Sequence, residues 1–228
     1  MESPENGDRK GLGDGGKRSR NERRRPEDEQ RRPGDDNESS EGETKRPGSD
    51  GEHELQEEFE TAERALAFYE NSMHDHVNGT MQEFIDDRIM FFLSTADGNG
   101  ETDCSPRIGP EGFVHVLDEN RLAYPEFRGN GVHASLGNIE ENPHATMLFI
   151  DWWDTTVGLH VNGRASLREE VPEIENPPKT DRLKGWVVLE VEEAYIHCAK
   201  HIPQLSIEEF DPPWGTDDPE AKLTGYFE

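Results

Sequence analysis

Ser105 and Arg107 stand two apart in ETDCSPRIG (101–109), a stretch that follows the turn signal Asp97-Gly98-Asn99-Gly100. Residues two apart on a strand share a face, so a hydroxyl and a guanidinium would lie side by side. That pairing suits a phosphate dianion, because arginine can hold two of its oxygens at once. A surface salt bridge is the plainer use of Arg107 in a chain so rich in acids. A second anion-binding feature lies in RLAYPEFRGNGVHASLGNIEENPHATMLFID (121–151). There a short strand ends at Phe127, Arg128-Gly129-Asn130-Gly131 turns the chain, and a short helix follows. The glycines tolerate positive φ, and the free N–H groups and dipole of a helix start favour an anion. An ordinary strand–helix connection would read the same way.

Other chemistry is thinly represented. GxSxG, HExxH and Walker motifs are all missing from the sequence. His197, Cys198 and His201 resemble a metal set at first sight, but neighbours on a strand point to opposite faces and cannot both ligate one ion without distortion. His74 and His76 read as an exposed loop pair. Trp152-Trp153 could stack on a flat ring or form an aromatic cluster at a barrel rim. His160, near that rim, is the one acid–base candidate to test, with a structural role as its alternative.

The elements that would position these groups are mostly strands. IMFFLSTA (89–96) is a strand, and Asp-Gly and Asn-Gly after it suit a hairpin into 101–109. Pro106 in that return strand implies an edge or a bulge. GFVHVL (112–117) and 121–127 form the next hairpin. Val132, Leu136 and Ile139 sit at helical spacing, and Asn142-Pro143 ends that helix. Strands follow at 144–153 and 156–169, with a bulge expected at Asn162-Gly163. The run 185–199 reads as a strand pair or one bent strand. Upstream, ELQEEFETAERALAFYEN (54–71) has Leu55, Phe59, Ala62, Leu66 and Tyr69 at three- and four-residue steps, an amphipathic helix that would pack on the barrel or on a partner subunit. Thr80 with Glu83 reads as the capping box of a further helix. Six or seven strands with short turns and one inserted helix point to an antiparallel barrel.

The 228 residues carry a net charge of −27, unevenly placed. Residues 1–50 hold 12 Lys/Arg against 14 Asp/Glu, whereas 51–228 hold 12 against 37, a net of −25. Residues 1–53 have Leu12 as their only large aliphatic after Met1, too little to offset the entropy of ordering, so a disordered charged tail is expected there. The basic patch KRSRNERRR (17–25) could contact an acidic partner or nucleic acid, or simply be solvated among the acids that follow. Residues 54–203 would form the folded domain, and 204–228 a Pro- and Asp-rich tail with Trp214. The acidic body should not bind nucleic acid non-specifically. Two distant cysteines, Cys104 and Cys198, no leader and no run of the ~18 apolar residues a membrane helix needs point to reduced thiols and a cytoplasmic protein.

Such a charge pattern fits a halophilic cytoplasm, where carboxylate surfaces stay hydrated and screened; an acidic mesophilic protein is the alternative. Halophily implies a melting temperature that climbs across a potassium chloride series, because screening weakens self-repulsion. Equal stability from dilute to molar salt would count against it.

The 121–151 block resembles the pyridoxamine 5'-phosphate oxidase superfamily of split-barrel flavoproteins. The resemblance rests on Tyr124-Pro125, Gly129-Asn130-Gly131, Asn138 through Glu141-Asn142-Pro143, and Met147 through Ile150, and it extends over about residues 81–200. It is nearer to a branch described as oxidase-like and FMN-binding. It implies a mainly β, antiparallel split barrel with peripheral helices, and a homodimer holding two FMN molecules between its subunits. Carried over by position, it places Ser105, Arg107, Tyr124, Pro125, Asn130, Ser135 and Asn138 on FMN, with Tyr124 and Pro125 along the flavin. It also implies hydride or electron transfer with a small substrate or NAD(P)H. Heme or a deazaflavin replaces FMN in related split barrels, and a non-catalytic flavin binder or sensor is the other reading. Vitamin B6 oxidases carry an Arg-Lys pair where this chain has His133, Ala134 and Ser135, and their C-terminal signature of Arg, Trp and His is absent after residue 200. Oxidation of pyridoxamine phosphate is therefore not expected.

Overall fold

Strict alternation of apolar and polar side chains builds the sheet. In β2 (Met90–Ala96), Phe91, Leu93 and Thr95 turn inward and are buried. A hairpin at Asp97–Gly100 leads into β3 (Thr102–Ile108), whose register sets Ser105 opposite Leu93 and Arg107 opposite Phe91. Ser105 and Arg107 therefore lie on the inner face, as their spacing requires. The structure, a computed structural model, describes residues 46–208. The basic patch at 17–25, most of the expected N-terminal tail and Trp214 fall outside the described residues.

β4 (His115–Asp118) and β5 (Arg121–Phe127) pair next, followed by α4 (Ala134–Glu141), β6 (His144–Ile150), β7 (Gly158–Arg168) and β8 (Leu183–His197). The order across the sheet is β3-β2-β6-β7-β8-β5-β4, antiparallel throughout. Strand β8 is one continuous strand that serves two neighbours. Its first half pairs with β5, and the span Trp186–His197 pairs with β7. Pro106 sits on β3, an edge strand, where its missing N–H breaks no inner ladder. The expected bulge lies at Asn162/Gly163. A Cβ at Gly163 would overlap the carbonyl oxygen of Glu190, so the strands approach there only because the side chain is absent.

The main core gathers Phe91, Leu93, Leu122, Tyr124, Met147, Phe149 and Val161, and α4 adds Ile139 to it. A smaller cluster of Ala123, Val171, Trp186 and Val188 covers the other face of β5. The sheet curls around this core, and β3 and β5 approach without being ladder neighbours. That is a mainly β, antiparallel split barrel with peripheral helices. No helix among the described residues is long and apolar enough to cross a membrane.

Several elements differ from the sequence expectation. The single helix over 54–71 is two helices, α1 (Asp50–Glu58) and α2 (Ala62–Ser72), separated where Glu60 takes a positive φ of 55°. Gln56 Nε2 donates to the Tyr69 hydroxyl at 2.8 Å, tying the second helix back on the first, so the periodicity does not describe one buried stripe. Leu55, Phe59 and Leu66 remain exposed, while Phe68 packs edge-on against Tyr195 of β8. Helix α1 also begins before the expected boundary at residue 53. Ser49 accepts from the Glu52 N–H and Glu52 accepts from the Ser49 N–H, a complete capping box. Met73–His74 pairs with β8 as a short strand β1 rather than standing in a loop. Helix α3 (Gly79–Asp86) is capped by Asn78, whose Oδ1 accepts from the Met81 N–H, and not by Thr80. Helix α4 starts at Ala134 because His133 adopts φ 57° and ψ 34°, which leaves Val132 outside the helix and exposed.

Candidate functional site

The inner face of β3, the end of β5 and the segment from Arg128 to Leu136 enclose a cavity of about 500 Å3. Its wall carries Asp103, Ser105, Arg107, Glu126, Asn130 and Ser135 as polar groups, with Pro125 among the apolar ones. The turn is tight. Gly131 has φ +87°, and the Asn130 side chain accepts from the Val132 N–H at 2.9 Å. This Asx turn and the left-handed His133 bring the start of α4 against β3.

A chain of hydrogen bonds runs along the wall. Arg107 Nη1 donates to Ser105 Oγ at 2.8 Å, Ser105 Oγ and Ser135 Oγ lie 3.2 Å apart, and Ser135 Oγ donates to Asp103 Oδ2 at 2.8 Å. Helix and edge strand are thus joined through two hydroxyls. Arg107 Nε also donates to Glu126 Oε2 at 3.0 Å, an ion pair between β3 and β5. Burial pulls the Arg107 pKa down, while Tyr124 and Glu126 beside it push it up with a net rise, so its charge is secure. Burial raises the Glu126 carboxyl above its ordinary value, and Arg107 offsets only part of that.

Five of the seven residues assigned by position line this cavity: Ser105, Arg107, Pro125, Asn130 and Ser135. Tyr124 does not lie open to a ring. It is 1% exposed in the core, edge-on to Phe91 at 5.0 Å, and burial pushes its phenol pKa up. Its buried hydroxyl has no aligned hydrogen-bond partner, and the Arg107 guanidinium is its charged neighbour. Tyr124 therefore packs beneath the site rather than lining it. Asn138 points the other way, donating from Nδ2 to Thr95 Oγ1 at 3.0 Å, and so fastens α4 to β2. Residues that spacing alone did not single out also reach the wall: Asp103, Glu126, Arg128 and His133. Arg128 stood in the glycine turn already noted, and Asp103 shares the alternation of Ser105 and Arg107. Glu126 has no sequence signal, since its partner is 19 residues away.

His160 and the two tryptophans lie elsewhere. His160 Nε2 is 2.9 Å from His197 Nδ1, and its ring stacks on Tyr195. Burial, then the neighbouring His197, holds its pKa down. Trp153 lies over the Arg88 guanidinium on the turn after β6. Cys104 and Cys198 are free, exposed thiols.

Residues 77–212 match the sequence profile of the family described as pyridoxamine 5'-phosphate oxidase, and the chain belongs to that family. No curated protein matches the sequence. Among solved structures, HupZ from Group A Streptococcus is 18% identical, with 53% of this chain and 93% of that chain covered and a TM-score of 0.43. An FMN-binding protein from Syntrophomonas wolfei is 17% identical, with coverage of 64% and 95% and a TM-score of 0.38. HutZ, the heme storage protein from Vibrio cholerae, is 12% identical, with coverage of 53% and 94% and a TM-score of 0.35.

FMN is a group this family implies, and the cavity fits it. Its volume, about 500 Å3, falls within the range of cofactor clefts. Its polar wall offers groups suited to a phosphate, a half-buried guanidinium with two hydroxyls beside it.

Proposed function

We propose that this chain binds FMN in the cavity between β3, β5 and the start of α4, and that it is an FMN-dependent oxidoreductase. The observation that supports this is the placement of Arg107, Ser105 and Ser135 around one cavity wall beside a glycine turn. Arg107 would hold the phosphate through charge-assisted hydrogen bonds, with the Ser105 and Ser135 hydroxyls beside it. Pro125 and the apolar part of the wall would shield the flavin from water. Bound FMN would supply the hydride or electron transfer with a small substrate or NAD(P)H. A binding-only role has its own support: no carboxylate on the wall stands unpaired, Asp103 being engaged by Ser135 and, before any ligand binds, Glu126 by Arg107.

Visible absorbance of the purified protein tests the cofactor. Flavin bands support FMN, a Soret band supports heme, and a colourless protein that takes up no FMN ends this reading. Bleaching by NAD(P)H separates turnover from binding alone. The homodimer belongs to the same proposal. Phe92 of β2 and Leu148 of β6 sit opposite one another on the outer face, away from the core, and suit burial against a second copy. A monomer mass by light scattering would contradict it. A cytoplasmic location is proposed with it.

Within this reading Arg107→Ala weakens FMN binding by about 10- to 150-fold, the equivalent of roughly 1.5–3 kcal/mol for a charged hydrogen bond. Ser105→Ala costs less, on the order of 1 kcal/mol, because a neutral hydroxyl is a weaker partner. Flavin fluorescence titration of the flavin-free protein measures both. Parent-like affinity in Arg107→Ala places the phosphate elsewhere.

A further inference from the structure

Arg107 already has an anionic partner inside the cavity. Its Nε donates to Glu126 Oε2 at 3.0 Å, with the two side chains only 18% and 16% exposed, and both residues are on the wall. A phosphate arriving at Arg107 would bring its charge up to a carboxylate that solvent barely screens. Like charges a few ångströms apart in such a place do not both stay ionised without a large cost. Asp103 meets this differently, because its carboxylate is held by Ser135 at the far end of the hydrogen-bond chain.

Resting on the FMN reading, we propose that Glu126 competes with the ligand's phosphate for Arg107 and takes up one proton from solvent as the phosphate binds. Arg107 stays charged and exchanges a carboxylate oxygen for a phosphate oxygen. Glu126 is thereby a specificity-determining residue. It disfavours a dianion when ionised and leaves a ligand without a phosphate unaffected.

The surroundings of Glu126 are compatible with this exchange. Arg107 faces it from β3, Asp103 lies farther along the same wall, and Tyr124 precedes it by two on β5. Arg128 and His133 lie on the same wall, and Arg168, Glu169 and Lys184 lie beside it in a neighbouring cleft. Arg107 is the cation that hydrogen-bonds it. Burial already favours the protonated carboxyl, and loss of Arg107 to a phosphate would favour it further.

The test is FMN titration of the full-length, flavin-free protein between about pH 6.5 and 8.5, where a phosphate monoester with a second pKa of about 6 is mostly a dianion. In the parent, FMN affinity falls as pH rises, by at most about tenfold per pH unit for one linked proton. Glu126→Gln keeps the shape and an oxygen that can accept from Arg107. It binds FMN on the order of tenfold more tightly at the upper end of that range, with a flatter profile. Riboflavin, which lacks the phosphate, binds parent and variant alike at every pH. Should Glu126→Gln not fold, calorimetry of the parent in buffers of different ionisation enthalpy counts the protons directly, and uptake approaching one per FMN is expected. FMN binding that is no tighter in Glu126→Gln, or a flat parent profile without proton uptake, overturns the competition while leaving the flavoprotein reading intact. If the parent binds neither FMN nor riboflavin, the flavoprotein reading fails and this inference fails with it.

Discussion

Asp151→Ala is expected to destabilise the fold by about 3–5 kcal/mol, the usual cost of breaking a buried ion pair from one side. For a folded region of this size that lowers the melting temperature by roughly 6–20 °C. Asp151 is 2% exposed and Arg88 7% exposed, with Oδ1 and Nη1 3.0 Å apart. The same carboxylate accepts from the N–H groups of Trp153, Asp154 and Thr155 and from the Thr155 hydroxyl at 2.6 Å. Alanine would leave a buried guanidinium between Phe84 and Trp153 and would also undo the turn that carries the chain from β6 to β7. Asp151→Asn keeps an acceptor for the turn and should cost less. Burial alone would raise the Asp151 carboxyl, but the Thr155 hydroxyl and the three backbone N–H groups outweigh it and hold it well below the usual range. A depressed acid contributes stability that is complete above its unfolded pKa, near 4. That contribution drains away as pH falls through the folded value. Asp151→Asn should therefore flatten the acid limb of a denaturation curve below about pH 4. A parent-like melting temperature in Asp151→Ala would show that the pair carries none of this weight.

Phe91→Ala is expected to cost about 3–5 kcal/mol through the cavity it leaves. Phe91 is fully buried, with Tyr124 edge-on at 5.0 Å, Phe149 tilted at 5.3 Å and Phe113 stacked at 5.8 Å. Three aromatic rings thus lose their centre at once. Chemical denaturation gives the magnitude. Because Tyr124 packs beneath the cavity next to Arg107, the fraction that remains folded should, if the proposed FMN site holds, also bind FMN more weakly than the parent. A loss under about 1 kcal/mol would mean that the neighbouring rings close over the gap.

The strands were legible because β2 and β7 are buried on one face and alternate cleanly, and because Asp97 through Gly100 and Asn162-Gly163 carry turn and bulge chemistry of their own. The inward face of Ser105 and Arg107 followed from the same period of two. Tyr124 was not legible in this way. Strand β5 is covered on both faces, by the main core and by Ala123 and Trp186 in the smaller cluster, so alternation cannot say which side is the cavity. The break between α1 and α2 contains neither glycine nor proline. It is set by a contact between Gln56 and Tyr69, 13 residues apart, which no local window contains. The Ser49–Glu52 capping box was present in the sequence but embedded in a polar stretch whose composition argued for disorder. The Glu126 pairing is likewise a product of tertiary approach. It exists because two strands that share no ladder are curled towards one another.

That last feature sets the mechanics of the opening. Where β3 meets β5, the joint is made by side chains, Arg107 to Glu126, and not by rungs of backbone hydrogen bonds. A conventional barrel wall cannot widen without breaking rungs. This one can change its gape by turning a few side-chain torsions while every strand keeps its neighbours. A substitution at either end of the joint should therefore alter the shape of the cavity before it alters the fold.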